Sequence, residues 1–182
     1  MSKITHYNQN TKRQHYVDNK KLFENIKIYL DVCKKHVEER RNGLVPTIPN
    51  SIAVDIQKIC VHLSYSYQFI NYSYKEEMIG DGILSCIQAV PNYMIEKPNA
   101  FAYFTMIAFN AFVNRINKEQ KQHYIKHKNI YNSMNGELLT EVQATMTTKD
   151  GVSLVDASDR VIEQYEEKIR KQKQKLLDAK EA

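Results

Sequence analysis

Apolar residues recur every three or four positions from Leu22 to Ile116, the period of helices that each bury one face. Leu22, Ile26, Tyr29, Cys33 and Val37 predict a first helix, capped by Asp18 and ending before Gly43. Two prolines in Leu44-Val45-Pro46-Thr47-Ile48-Pro49 then force an extended turn. Asn50 or Ser51 is expected to cap a second helix with Ile52, Ile56, Ile59, Leu63 and Tyr67 inward. Ser73-Tyr74-Lys75-Glu76 has the form of a capping box, opening a third helix that carries Ile79, Ile83, Cys86, Ile87 and Val90 inward until Pro91 stops it. Asn99 is placed to cap a longer fourth helix with Phe101, Thr105, Ala108, Phe112 and Ile116 on its apolar face. Beyond Tyr131 the periodicity fades. The stretch to Val155 holds Asn-Gly and Asp-Gly turn signals, and Ser158 is expected to cap a last, highly charged helix with i,i+4 pairs Glu166–Arg170 and Glu167–Lys171.

The fold class this predicts is all-α. Residues 1–15 read as a flexible basic N-terminus, 16–131 as a helical domain, 132–157 as a linker, and 158–182 as a charged helical or disordered arm. Composition agrees: 5 Gly and 4 Pro in 182 residues are too few for the many tight turns of a barrel or sandwich. Three cysteines, Cys33, Cys60 and Cys86, make neither a closed disulfide framework nor a zinc-ligand spacing. The polar N-terminus lacks a signal sequence, and the apolar run Phe101 to Val113 is shorter than the ~20 residues that span a bilayer. A soluble, cytoplasmic protein is expected.

Charge is segregated. Met1 to Asn42 carries +5, Gly43 to Val113 carries −2, Asn114 to Tyr131 carries +4 and Asn132 to Ala182 carries −2. The basic block Arg115 to Lys128 can hold phosphates, although Lys and Arg also favour helix C-termini through the macrodipole.

Motifs for a phosphate-cradling loop, a zinc protease or a serine nucleophile elbow are missing from the sequence, so neither an enzyme nor a cofactor or metal is expected. Glu76, Glu77 and Asp81 sit where a helix start favours carboxylates, but Glu77 and Asp81 lie one turn apart and would form an acidic ridge beside Met78. On the fourth helix Tyr103, Ile107, Asn110, Asn114, Asn117 and Lys121 share one stripe. Asparagine is a middling to poor helix former, whereas its amide suits bidentate contact with adenine, and aromatic rings stack on unpaired bases. That stripe is a candidate nucleic-acid face. The phenylalanines are better read as core.

Two motifs then carry a resemblance. Glu77 to Tyr93, E-M-I-G-D-G-I-L-S-C-I-Q-A-V-P-N-Y, followed by Phe101 to Ile116, F-A-Y-F-T-M-I-A-F-N-A-F-V-N-R-I, resembles region 2 of bacterial sigma factors. K-x-E-M-I-x-D-G-I (Lys75 to Ile83) and F-N-A-F-V-x-R-I (Phe109 to Ile116) are most similar to the small late-transcription sigma factors of T-even-type bacteriophages. The similarity extends from about Tyr16 to His123, and the two motifs occur in the family's order with about its gap.

The resemblance implies a compact helical bundle of the sigma region 2 type. It implies a protein that binds host core RNA polymerase in the bacterial cytoplasm and directs it to phage late promoters by recognising and helping open an AT-rich −10-like element. Glu77, Met78, Asp81, Ile83, Leu84 and Ile87 fall where sigma factors dock on the clamp helices of the largest polymerase subunit. Phe101, Tyr103, Phe104, Ile107 and Ala108 fall where the family separates strands and receives a flipped base. Asn110, Ala111, Asn114 and Arg115 fall at the upstream duplex edge, with Lys118 and Lys121 beyond them for backbone phosphate. Ile107 and Ala108 replace the paired tryptophans of primary sigma factors, which implies weaker melting. The end of the chain, K-I-R-K-Q-K-Q-K-L-L-D-A-K-E-A, is basic and without an aromatic, unlike the acidic motif by which late phage sigma factors engage a sliding clamp. This departure weakens the expectation of a phage co-activator or sliding clamp as a further partner. Two rivals use the same residues: a helical DNA-binding regulator that acts without polymerase, with the fourth helix in a major groove, and a polymerase-binding inhibitor of the host sigma factor.

Overall fold

Asp18 opens the first helix as its position predicts. Its Oδ1 accepts the backbone N–H groups of Lys20 at 3.0 Å and Lys21 at 3.3 Å, two of the donors that a helix start leaves without partners. The computed structural model describes residues 16–38, 46–97, 99–135 and 153–181. Helix α1 (Asn19–Glu38) is followed by α2 (Asn50–Ser64), α3 (Lys75–Ala89), a 3-10 turn at Val90–Asn92, α4 (Ala100–Asn135) and α5 (Leu154–Glu181). The described residues form no strand, so the fold is all-α. The expected end of α1 before Gly43, the N-terminus 1–15 and residues 136–152 of the expected linker lie outside the described residues. Asp18→Ala should lower stability by about 1 kcal/mol in urea denaturation, the usual worth of an N-cap, and Asp18→Asn should keep most of it.

The chain divides into two compact units, Met1–Phe112 and Val113–Ala182. In the first, α2 packs on α1 and α3. Leu22 and Ile26 of α1, Ile52, Ile56 and Ile59 of α2, and Phe104 and Phe112 of α4 are almost or fully enclosed. The thiols of Cys60 and Cys86 meet in this core, and Cys86 donates to the Phe104 carbonyl at 3.4 Å. The hydrogen bond with Cys60 and burial together push the Cys86 thiol far up, which leaves it a small protonated core group. The Tyr29 hydroxyl donates to the Pro46 carbonyl at 2.9 Å, and burial, aided by Cys33, raises its pKa to about 12. It therefore remains a donor throughout the physiological range. The start of α4 is satisfied from two sides: Asn99 Oδ1 accepts from the Ala102 N–H at 3.0 Å, as predicted, and Asn19 Oδ1 of α1 accepts from the Phe101 N–H at 2.9 Å.

Several expected helix details differ. Pro49, not Asn50 or Ser51, is the N-cap of α2, and no side-chain cap bond is made. Its fixed φ of −57° with an extended ψ of 140° suits an N-cap, and its carbonyl accepts from Ile52 and Ala53, so the helix begins one residue early. Because α2 stops at Ser64, Tyr67 lies beyond it and is 95% exposed, and Leu63 is half-buried. The Ser73–Glu76 capping box does not form, since α3 starts at Lys75 with Tyr74 as N-cap, one residue out of register for the reciprocal bonds. Its buried stripe is Met78, Gly82, Cys86 and then Val90, with Ile79, Ile83 and Ile87 half-buried at its flanks. In α4 the enclosed stripe is Ala100, Phe104, Ala108 and Phe112, leaving Phe101, Thr105 and Ile116 half-buried.

The second unit also departs from expectation. α4 continues through Asn132 to Asn135, which were expected in a linker. α5 begins at Leu154, so Ser158 is a buried residue inside the helix rather than its cap. Nor is α5 a detached arm within this unit. Tyr165 stacks on Tyr124 of α4 with centroids 4.6 Å apart, and Lys168 reaches Asn117 at 3.3 Å and Gln120. Glu167 pairs with Lys171 at 2.7 Å as predicted, while Glu166 turns to the Tyr124 hydroxyl at 3.0 Å and Lys128 at 3.5 Å. Among the apolar groups that hold it are the flat faces of two tyrosines, which a count of aliphatic residues overlooks.

Candidate functional site

The outward side of α3 follows from its inward side. With Met78, Gly82 and Cys86 against the core, Glu77, Asp81 and Leu84, spaced four and three apart, share another face. Glu77 is exposed, Asp81 is half-buried and Leu84 is 56% exposed. Ser85 Oγ donates to the Asp81 backbone carbonyl at 2.8 Å, one turn along the helix. Ile83 and Ile87 flank this ridge, half-buried. A carboxylate ridge with a large exposed aliphatic at its end suits a basic partner helix whose stems can cover Leu84. Met78 is fully buried and cannot belong to such a surface. It is corrected to a core residue, because the i,i+4 stripe that closes on Gly82 and Cys86 takes it inward.

On α4 the candidate residues separate into two kinds. Phe104 and Ala108 are fully enclosed and are likewise corrected to core. Phe104 stacks on Tyr93 with centroids 6.1 Å apart and meets Tyr103 edge-on at 5.1 Å. Phe101, Tyr103, Ile107 and Ala111 are half-buried, and Asn110 is exposed. Tyr103 is further held edge-on by Tyr93 at 5.1 Å. Its ring is thus braced at one side while part of it still meets solvent, the condition for stacking on an unpaired base. Met106, 61% exposed on the same helix, was missed because methionine at helical spacing reads as core.

In the second unit Asn114, Lys118 and Lys121 are exposed. Arg115 is half-buried and its Nη2 lies 3.0 Å from Glu119 Oε1, so its charge is partly matched within the helix. Asn117, also on the predicted stripe, accepts from Lys168.

A further surface feature lies between α2 and α3 in the first unit. Tyr65, Tyr67, Ile70 and Tyr74 are all exposed, and the Lys75 ammonium sits 3.8 Å from the Tyr65 ring centroid. Four tyrosines and a phenylalanine in ten residues, Tyr65 to Tyr74, were its signal.

No protein family matches the chain, and no match was found among curated proteins. Among the described residues no group of three or more His, Cys, Asp or Glu side chains converges on a metal position, and no helix is long and apolar enough to cross a membrane.

Proposed function

We propose that this protein is a sigma factor that recruits bacterial core RNA polymerase to late phage promoters carrying an AT-rich −10-like element, acting in the host cytoplasm. The single observation that carries the reading is the ridge on α3: Glu77, Asp81 and Leu84 sit on one outward face where the resemblance puts the clamp contact. The partly exposed Tyr103 and the exposed Asn110 support a nucleic-acid face on α4, and exposed Asn114, Lys118 and Lys121 support phosphate and duplex contact. Ile107 and Ala111 follow Tyr103 one and two turns along α4 as its apolar border, and half-buried Phe101 lies on another side of the helix. In this reading the core residue Phe104 acts through Tyr103, which it meets edge-on, and neither Phe104 nor the enclosed Ala108 touches DNA. Such a protein performs no chemistry of its own; it positions a promoter on an enzyme.

The test is run-off transcription from a −10-only, AT-rich template with core polymerase, with and without the protein. A specific transcript that depends on the protein is the expected result, and its loss with Leu84→Asp and Asp81→Lys should accompany loss of comigration with core polymerase. Leu84→Asp should weaken that association by on the order of 30-fold, the ~2 kcal/mol of a well-packed interface anchor. A protein that binds the template alone and ignores both substitutions would instead be a polymerase-independent regulator.

A further inference from the structure

Two histidines outside these faces stand in chelating geometry. His123 and His127 are one turn apart on α4, and their Nε2 atoms are 3.2 Å from each other with ring centroids 4.4 Å apart. Imidazole nitrogens hold Zn2+ at ~2.0–2.1 Å, so a cation bound to both would see them about 100° apart, near the tetrahedral angle. His123 is exposed, and a small outward turn of its ring brings both lone pairs onto one ion.

A second observation concerns the other nitrogen of His127. Its Nδ1 lies 3.0 Å from Ser158 Oγ of α5, and Ser158 is fully enclosed. An Nδ1–H donated to that hydroxyl fixes the tautomer that leaves Nε2 with its lone pair, the outer hydrogen bond that metal-binding histidines characteristically make. With His127 in that tautomer, the 3.2 Å contact is a His123 Nε2–H donated to the His127 lone pair. An incoming cation takes the place of that proton, which leaves Nε2 while another is gained at His123 Nδ1, so this exchange within the ring releases no net proton.

We infer that His123 and His127 form a chelating site for a divalent transition metal of the zinc class, oriented by Ser158. Imidazole donors favour such ions over Mg2+ and Ca2+. Water completes the coordination, because no third His, Cys, Asp or Glu ligand joins them among the described residues. Binding is therefore reversible, and it tightens the tie between α4 and α5 within the second unit.

Zn2+ titration of the full chain, followed by histidine side-chain 1H–15N NMR, tests this. The Nε2 resonances of His123 and His127 should shift together and saturate with one ion, and Mg2+ should leave them in place. His123→Gln or His127→Gln should weaken this site by about 10-fold or more, since a second tethered donor acts at high effective concentration. Ser158→Ala should weaken it by about 10-fold with the stoichiometry kept, and His62→Gln should change nothing. Far-UV circular dichroism of each variant checks that the helices persist. Independent movement of the two resonances, or an unchanged Zn2+ affinity in His123→Gln, would overturn the inference.

Discussion

Phe104→Ala should cost about 3–5 kcal/mol of folding stability, the range for truncating a fully enclosed phenylalanine. Small domains hold only about 5–15 kcal/mol in total, so this one ring accounts for a large part of the protein's margin. The ring is fully buried between Tyr93 and Tyr103, and its backbone carbonyl receives the Cys86 thiol. Removing it opens a cavity whose walls are aromatic and stiff, which relaxes poorly. Urea denaturation followed by circular dichroism measures the loss, and a cost under about 1 kcal/mol would show that the ring is not core. The consequence for function is direct. A failure of Phe104→Ala in transcription combines lost stability with a lost brace for Tyr103, whereas Tyr103→Ala, at a half-buried ring, should separate contact from stability.

The two glycines of α3 should respond to alanine with opposite signs. At Gly80 a Cβ meets nothing within 4 Å, so Gly80→Ala should stabilise by up to about 1 kcal/mol through helix propensity. At Gly82 a Cβ would stand 2.5 Å from Phe112 Cε1 and 3.4 Å from Cys60 Sγ. Phe112 cannot swing aside, for it is fully buried and met edge-on by Phe69 at 5.2 Å. Overpacking of this kind costs about 1–3 kcal/mol, which outweighs the propensity gain. Gly82→Ala should therefore lower the urea midpoint and Gly80→Ala raise it, two residues apart in one helix. A rise for both would mean that α3 does not press against Phe112.

These two glycines also show where the sequence is legible. The helices themselves were readable because their apolar residues recur at helical period, and the Asp18 and Asn99 caps were readable because a cap is a local bond to the next turn. The phase of α3 was not, since the residue nearest its neighbour is Gly82, which carries no hydropathy signal at all. Isoleucines at 79, 83 and 87 outvoted it and fell half-buried. The Ser73 box and the Ser158 cap failed for a related reason: a serine before a run of helix formers fits several starts, and packing chose another. Of the candidate contacts, the outward residues Glu77 and Asn110 were legible from spacing, whereas Leu84, also outward, came only with the motif. Met78, Phe104 and Ala108 were assigned by motif, and motif records that a position matters without telling whether it faces a partner or the core.

The bond from the Phe101 amide to Asn19 joins positions 82 residues apart. Closing a loop of that length costs only a little more entropy than closing one half as long, yet it must be closed before the opening turn of α4 is complete. The ribosome makes Asn19 first and Phe101 long afterwards. When α4, the longest described helix, begins to leave the exit tunnel, the acceptor for its first turn already exists on α1, and the later segment is finished by the earlier one.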